Sequence, residues 1–299
     1  MNLWDDIKIR FRSGDTLLRI IFINIAVFLI INLALLIFWA AGLNDARLQW
    51  VIEKFEFAEY LPILLYQPWS AITHMFMHIG FGHIFWNMLL FYWIGQIFTE
   101  YLGGKKLLSV YLLGGLFAIF FQVLIMNVVP ALRVYVTPGS YALGASASVN
   151  ACLVAIATLI PDYTVFLLLL GPVRLKYIAA TVVVISLINI PNGNAGGEIA
   201  HIGGALFGFI YTKQLRQGND LGGWLTKFFE KITRPKSRSR MRVERSRRTV
   251  TDEAYKESKK YDEETIDRIL DKISKSGYSS LTKEEKEILF SVSDKNKQE

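Results

Sequence analysis

The chain of 299 residues contains one cysteine, Cys152, and only four histidines. A single cysteine cannot form an internal disulfide bond, and it excludes a metal site built on several cysteine ligands. His74 and His78 are four residues apart, but the glutamate of a zinc-peptidase helix is missing beside them, and the nearby apolar segments supply no carboxylate. We therefore predict that the protein has no metal site and no cofactor.

Charge is scarce in six apolar segments, which we number as spans one to six. In residues 20–41 only Asn24 and Asn32 interrupt an apolar run that is long enough to cross about 30 Å of hydrocarbon as a helix. The chain is 52% hydrophobic, more than a soluble domain of this size needs. These features predict an all-α polytopic membrane protein, a bundle of six transmembrane helices. The other five spans are residues 81–98, 107–129, 144–160, 175–190 and 198–212.

The spans contain no deeply placed charge, and no inverted repeat is visible, which disfavours a transporter. Lysine and arginine residues are concentrated before span one, between spans two and three, before span five and after span six. Positively charged loops stay in the cytoplasm, so we predict an inner-membrane protein with both termini cytoplasmic. The predicted parts are a cytoplasmic N-terminus (1–19), a membrane domain (20–215), a basic linker (216–260) and a small helical C-terminal element (261–299).

Four polar residues share one predicted depth in the membrane domain. Ser146 lies near the outer start of span four, and His201 lies near the outer start of span six. His83 and Asn87 fall in the outer half of span two. Polar side chains are costly inside a membrane unless they pair, so we expect these residues to meet.

A serine hydroxyl beside an imidazole is the minimum set for a nucleophile and its base. The start of a helix leaves the amide of Ser146 without an intrahelical acceptor, so that it can face an oxyanion. His83 and Asn87 are four residues apart on one helical face, and both can donate hydrogen bonds to the same oxyanion. The small residues Gly204 and Gly208 would let span six approach span four closely.

The base has no predicted carboxylate partner, because we identify no candidate Asp or Glu within spans four and six. The sequence therefore predicts a dyad of Ser146 and His201 rather than a triad. Without a carboxylate, activation of Ser146 should be weak and turnover slow. The rate should rise with pH as His201 loses its proton.

Each of these residues also has a structural interpretation. A serine in a membrane helix often packs or bonds to its own backbone, and a buried histidine such as His201 can bridge helices. Ser148 lies two residues after Ser146 and faces another side of the helix, so we interpret it as structural. The coincidence of the serine, the histidine and two further donors at one depth favours catalysis.

Four stretches of the chain resemble the rhomboid family of intramembrane serine proteases over about residues 60–212. They are residues 68–78 (PWSAITHMFMH), 83–87 (HIFWN), 144–147 (GASA) and 200–204 (AHIGG) followed by Gly208. The resemblance implies a six-helix bundle whose cavity opens outward. It also implies that Ser146 is the nucleophile and His201 the general base, and that His83, Asn87 and the Ser146 amide bind the oxyanion.

Three positions depart from the usual pattern of that family. Ala147 replaces a glycine, and because it adds only one methyl group we expect activity to survive. Ser70 replaces an arginine that anchors the first loop, and Asn150 replaces an aromatic residue that stacks on the histidine. By resemblance, residues 42–72 lie partly in the outer leaflet and residues 192–197 form a flexible cap over the dyad.

The C-terminal tail has a different composition from the membrane domain. Residues 227–260 are basic, and we expect them to lie against anionic lipid headgroups rather than to bind nucleic acid. Thr282 and Glu285 match a capping box that opens a second short helix. We interpret this element as a docking or regulatory segment for a cytoplasmic partner. The first short helix of the element precedes the capping box and stops at Gly277; its apolar face is formed by Ile266, Ile269, Leu270 and Ile273.

The predicted function is that of an intramembrane serine endopeptidase, which cleaves transmembrane segments of single-span membrane proteins near the outer face of the lipid bilayer. The alternative is an inactive rhomboid-like membrane protein that binds transmembrane helices. A probe that reacts with activated serines distinguishes the two.

Overall fold

The computed structural model describes residues 14–43, 46–167, 171–192, 194–233, 252–277 and 280–288. The chain divides into two compact units, Met1–Pro235 and Lys236–Glu299. The helices in chain order are α1 (Thr16–Ala40), α2 (Ala46–Glu53), α3 (Leu61–Tyr66), α4 (Ser70–Thr73), α5 (Phe81–Leu102), α6 (Gly104–Val128), α7 (Ser146–Leu159), α8 (Leu175–Asn189), α9 (Ala195–Arg216), α10 (Gly223–Thr233) and α11 (Asp252–Ser276). The strands are β1 (Phe57–Ala58), β2 (Tyr141–Ala142), β3 (Thr164–Leu167) and β4 (Gly171–Arg174), and there are 3-10 turns at His74–Phe76 and Pro130–Tyr135.

Each predicted span coincides with one of the helices α1, α5, α6, α7, α8 and α9. The largest difference in length is at α9, which extends beyond the apolar segment at both ends. Helices α1 and α6 are long and apolar enough to cross a membrane, and α7 and α8 are shorter apolar helices. The predicted helical membrane bundle is confirmed. The four short strands, which the sequence analysis does not predict, lie in its loops.

Large apolar side chains point away from the bundle on α1, α5, α6 and α8. Five of them, one or two on each helix, have exposed fractions of 63–72%. A surface that faces water rarely carries so many large apolar groups, whereas bilayer hydrocarbon makes favourable contacts with them. The five residues are Ile30, Phe81, Trp86, Phe120 and Ile188.

Helix α7 is the most deeply buried helix of the bundle, and α9 packs along it. Gly204 faces the carbonyl oxygen of Ala147, and Gly208 faces that of Ala151, so closely that a Cβ atom on either glycine would overlap the oxygen. The predicted small-residue face between spans four and six is therefore confirmed. Ser148 points the other way, toward Gly115 of α6, in agreement with its structural interpretation.

Buried polar contacts hold the turn before α5 against the bundle. Tyr111 of α6 donates its hydroxyl proton to the carbonyl of Met75 at 2.8 Å, and the same hydroxyl accepts from Asn24 of α1 at 3.3 Å. The carbonyl of His74 accepts the amide of Gly144 at 2.9 Å. The segment that leads into α5 and the segment that leads into α7 are thus fixed to each other.

Two antiparallel strand pairs connect loops of the bundle. Strand β1 pairs with β2, with Phe57 opposite Ala142, and the amide of Glu59 continues the pairing to the carbonyl of Ser140 at 3.0 Å. Strands β3 and β4 form a hairpin between α7 and α8. The first pair holds β2 beside the start of α7.

The part of the chain predicted as a basic linker is helical in places. Helix α10 is amphipathic, with Leu225 buried and Trp224 and Phe228 largely exposed. Helix α11 begins at Asp252 rather than at residue 261. Residues 234–251, which carry much of the basic run, lie outside the described residues.

The second unit contains α11 and the helix of residues 283–288. Helix α11 ends at the predicted residue, before Gly277 in the left-handed conformation (φ +76°), and Ile269 of its apolar stripe is 3% exposed. The capping box is confirmed, because Glu285 accepts the amide of Thr282 at 2.7 Å and donates its own amide to the Thr282 hydroxyl at 3.3 Å. Lys272 also binds the Glu285 carboxylate, at 2.9 Å.

Candidate active site

A cavity of about 640 Å³ lies among α5, α7, α8, α9 and strand β2. Its size is within the usual range for ligand sites. All four predicted site residues line it, together with residues of both polar and apolar character. Its apolar lining includes Leu90, Leu143, Val149, Val182 and Ile185.

The backbone before α7 determines where Ser146 stands. Gly144 has φ +125°, a conformation that other residues rarely adopt, and a Cβ atom there would lie 2.9 Å from Nε2 of His83 and 3.8 Å from Oγ of Ser146. The next amide, that of Ala145, donates to Nε2 of His78 at 3.4 Å. Burial, and the neighbouring His83, lower the pKa of His78 to about 4, so its ring stays neutral and can accept this bond. The turn that precedes the serine is therefore fixed by glycine and histidine together.

Ser146 and His201 are in direct contact. Oγ of Ser146 lies 2.7 Å from Nε2 of His201, a good distance for an O–H donor and a neutral imidazole nitrogen. Ser146 is the first residue of α7, so its amide has no acceptor within the helix. A hydroxyl, a proton acceptor and an amide donor are thus present at one point of the cavity.

The expectation that no carboxylate reaches the base is wrong. Glu198, the first residue of predicted span six, lies one turn before His201 on α9, and its Oε2 is 3.2 Å from Nδ1 of the histidine. Oγ of Ser186 on α8 lies 3.3 Å from the same nitrogen. The orientation of His201, which the replacement of an aromatic residue by Asn150 leaves unexplained in the sequence, is thus determined by these two neighbours.

His83 and Asn87 line the same cavity as His201. The His83 ring lies beside Gly144, within 2.9 Å of where a Cβ atom on that glycine would be, and is therefore next to the start of α7. The side-chain amide of Asn87 donates to the carbonyl of His83 at 2.9 Å, so one of its two protons is used within α5. The second proton is the one that could serve an oxyanion.

The first loop keeps its anchor without the arginine that Ser70 replaces. The indole N–H of Trp69 donates to the carbonyl of Lys54 at 2.7 Å, and the hydroxyl of Thr73 donates to the carbonyl of Phe55 at 2.6 Å. These bonds join α4 and the residue before it to the end of α2. Ser70 itself is fully buried.

The predicted cap at residues 192–197 is described except for Gly193. The side chain of Asn194 accepts the amide of Gly197 at 3.2 Å and so caps the start of α9. Both residues line the cavity. Among the described residues, no group of three or more His, Cys, Asp or Glu side chains is arranged to hold a metal ion.

Comparison with known proteins assigns the family. The profile described as Rhomboid domain matches residues 66–218, which is 153 of the 299 residues. The protein belongs to the rhomboid family and is a helical membrane protein. Residues 249–295 match a second profile, described as a family of unknown function (DUF6576).

Individual relatives are similar over shorter stretches. RHOMBOID-like protein 12, mitochondrial, of Arabidopsis thaliana is 31% identical over 160 residues, which cover 50% of this chain and 47% of the relative. Rhomboid protease GlpG of Salmonella newport is 31% identical over 61 residues, which cover 20% of this chain and 22% of the relative. The chain therefore spans less than half the length of each of these relatives.

Proposed function

We propose that this rhomboid family member is an intramembrane serine endopeptidase, with Ser146 as nucleophile and His201 as general base. The observation that carries the proposal is the 2.7 Å contact between Oγ of Ser146 and Nε2 of His201 inside a membrane bundle. An imidazole at that distance can take the hydroxyl proton as the serine attacks. The name of the Salmonella relative, a rhomboid protease, supports the same reaction class.

The reaction then proceeds in two halves. Oγ of Ser146 bonds to the carbonyl carbon of the scissile peptide while its proton moves to Nε2 of His201. The oxyanion forms near the Ser146 amide, His83 and Asn87. As the C–N bond breaks, His201 gives its proton to the leaving amine, and water later hydrolyses the acyl-enzyme with His201 again as base.

We infer that the substrates are single-span membrane proteins cleaved near the outer face of the inner membrane. A transmembrane helix keeps its carbonyl groups in internal hydrogen bonds, so it must unwind before Ser146 can reach one. Segments with small or helix-breaking residues unwind at the lowest cost. Lateral contact with lipid is provided by the exposed apolar faces of α5 and α8.

The test uses purified protein in liposomes together with a single-span reporter substrate. The parent protein should cleave the reporter at one site, and Ser146→Ala and His201→Ala should each abolish cleavage while the melting temperature stays the same. Ser148→Ala is the matched control, since Ser148 lies on the same helix but faces α6. Cleavage by Ser146→Ala at the parent rate would remove the proposed nucleophile. Binding of the reporter without cleavage by the parent would favour the helix-binding alternative.

A further inference from the structure

Glu198 lies in the candidate site but has no part in the reaction described above. We propose that Glu198 is a positioning residue, whose carboxylate holds the His201 imidazole in the productive tautomer and stabilises its protonated form during the reaction. This inference rests on the proposed function, because it concerns the same base. It goes beyond a serine–histidine dyad by adding a third group.

The geometry at the imidazole assigns the protons. Nε2 of His201 must be the acceptor if it is to take the proton of Ser146, and the neutral ring then carries its hydrogen on Nδ1. Oε2 of Glu198 at 3.2 Å is an acceptor for that hydrogen. A bond to a charged acceptor is stronger than one to a neutral hydroxyl, so the carboxylate is the favoured partner and Ser186 is the secondary one.

Ser186 has a supporting position in this network. It is 3% exposed on α8, and its hydroxyl is close to both the His201 ring and the Glu198 side chain. A hydroxyl that donates to Glu198 leaves the carboxylate free to accept from Nδ1. The carboxylate is thus held by a second helix as well as by its own.

The other groups around His201 do not replace this carboxylate. His83 of α5 and Tyr141 of β2 are the other titratable groups in the lining of the cavity, and α7 and α8 contribute the hydroxyls of Ser146 and Ser186. Glu198, on the same helix as His201, is the acidic group in the lining of this cavity. Its side chain is 15% exposed, so water only partly screens its interaction with the imidazolium.

A carboxylate in this position has a particular effect on the pH profile. It stabilises the protonated histidine of the resting enzyme and the protonated histidine of the transition state to a similar degree. Replacement by the isosteric amide in Glu198→Gln should therefore shift the pH of half-maximal activity down by about one unit. The rate on the alkaline plateau should fall by about tenfold, and the two profiles should converge at acid pH.

The experiment measures reporter cleavage and fluorophosphonate labelling of Ser146 between about pH 5 and 9 for full-length parent and variants. Glu198→Asp keeps the charge, so its pH of half-maximal activity should lie close to that of the parent. Glu59→Gln is the matched control, because Glu59 also lies against the start of α9, beside Gly196, and binds Gln122 at 2.6 Å rather than His201. Because the Glu59 carboxylate accepts its hydrogen bond from Gln122 of α6 and not from the imidazole, its amide variant should keep the parent profile.

The outcomes separate this inference from the proposed function. A parent protein that cleaves and is labelled at Ser146, together with a Glu198→Gln profile of unchanged midpoint, would overturn the role of Glu198 alone. A rate reduced by the same factor at every pH would also overturn it, since a purely structural role has that signature. If Glu198→Gln has a lowered melting temperature, Ser186→Ala provides the second test, with a smaller downward shift of the midpoint expected. A parent protein that neither cleaves nor is labelled would overturn the proposed function itself.

Discussion

At the scale of single residues, the position of Ser146 depends on groups that do no chemistry. Gly144 supplies a backbone conformation that other residues rarely adopt, His78 accepts the amide that follows it, and the carbonyl of His74 accepts the amide of Gly144 itself. Both of these hydrogen-bond acceptors come from the turn before α5. Ser146, the proposed nucleophile, is therefore positioned by the same segment that leads to His83.

The oxyanion residues give the first prediction at this scale. His83→Ala and Asn87→Ala should each lower kcat, because each removes a hydrogen-bond donor from the developing charge. The loss should be about 10²-fold or less, since the cavity is open and the Ser146 amide remains. Asn87→Ala should have the smaller effect, because one amide proton of Asn87 is already bonded to the carbonyl of His83.

Melting temperatures measured on the same preparations provide the control. Asn32→Ala is the matched variant, since Asn32 donates to the carbonyl four residues before it, as Asn87 does, but on α1 away from the cavity. An activity loss that follows the melting temperature in both asparagine variants would assign Asn87 to packing. The same comparison applies to His83.

Sequence patterns are sufficient to predict that Ser146, His201, His83 and Asn87 share one depth of the bundle, since all four lie at matching ends of apolar segments, whereas the cavity is implied by the family resemblance. Glu198 was missed, although its spacing of three residues before His201 places both on one helical face. It is the first residue of predicted span six, and a charged side chain is usual at the end of a membrane span, so its position alone does not indicate a partner for His201. Ser186 could not be predicted, because its role depends on how α8 packs against α9.

At the scale of secondary-structure elements, the distance between Ser146 and His201 depends on the packing of α7 against α9. Glycines on α9 bring the two backbones together, and no side chain lies between them at Gly204 and Gly208. A larger residue at either position would push α9 away from α7 and so move His201 away from Ser146. The site is thus sensitive to changes in residues that line no part of the cavity.

Gly204→Ala should lower both stability and activity. The added methyl group would overlap the carbonyl oxygen of Ala147, and overpacking of this kind costs about 1–3 kcal/mol. Thermal unfolding and reporter cleavage measure the two effects. Gly139→Ala is the control, because no atom lies within 4 Å of a Cβ at that glycine. A Gly204→Ala protein with parental stability and rate would contradict the packing account.

The elements themselves were predictable to different degrees. The long helices follow from apolar runs, and the end of α11 at Gly277 follows from its apolar stripe. The short helices α2, α3 and α4 were not predicted, because a few residues of mixed polarity carry no clear period. Helix α10 falls within residues 216–260, where many lysines and arginines favour a linker, although the apolar residues of the helix lie on one face.

At the scale of the whole molecule, the proposal fixes which end of the bundle faces outward. The start of α7 and the start of α9 define one end, where the cavity lies. Lys105 and α10 belong to the other end, where Ser109 of α6 binds Thr226 of α10 at 3.1 Å. The distribution of lysine and arginine predicts that this second end faces the cytoplasm.

Cysteine labelling tests this orientation. Gly139→Cys, at the cavity end, should react with a membrane-impermeant maleimide in right-side-out vesicles, and Lys227→Cys should react only in inverted vesicles. The single native cysteine, Cys152, is fully buried and provides a low background in both. Reaction of Gly139→Cys only in inverted vesicles would reverse the proposed topology and place the cleavage site at the cytoplasmic face.

The most direct measurement of the central proposal is the mass of the protein after reaction with a fluorophosphonate. The account predicts a single adduct, which peptide mapping assigns to Ser146, together with its loss in Ser146→Ala and a much slower reaction in His201→Ala. Folded protein that forms no adduct, or an adduct at Ser148 in place of Ser146, would contradict the assignment of Ser146 as a nucleophile activated by His201.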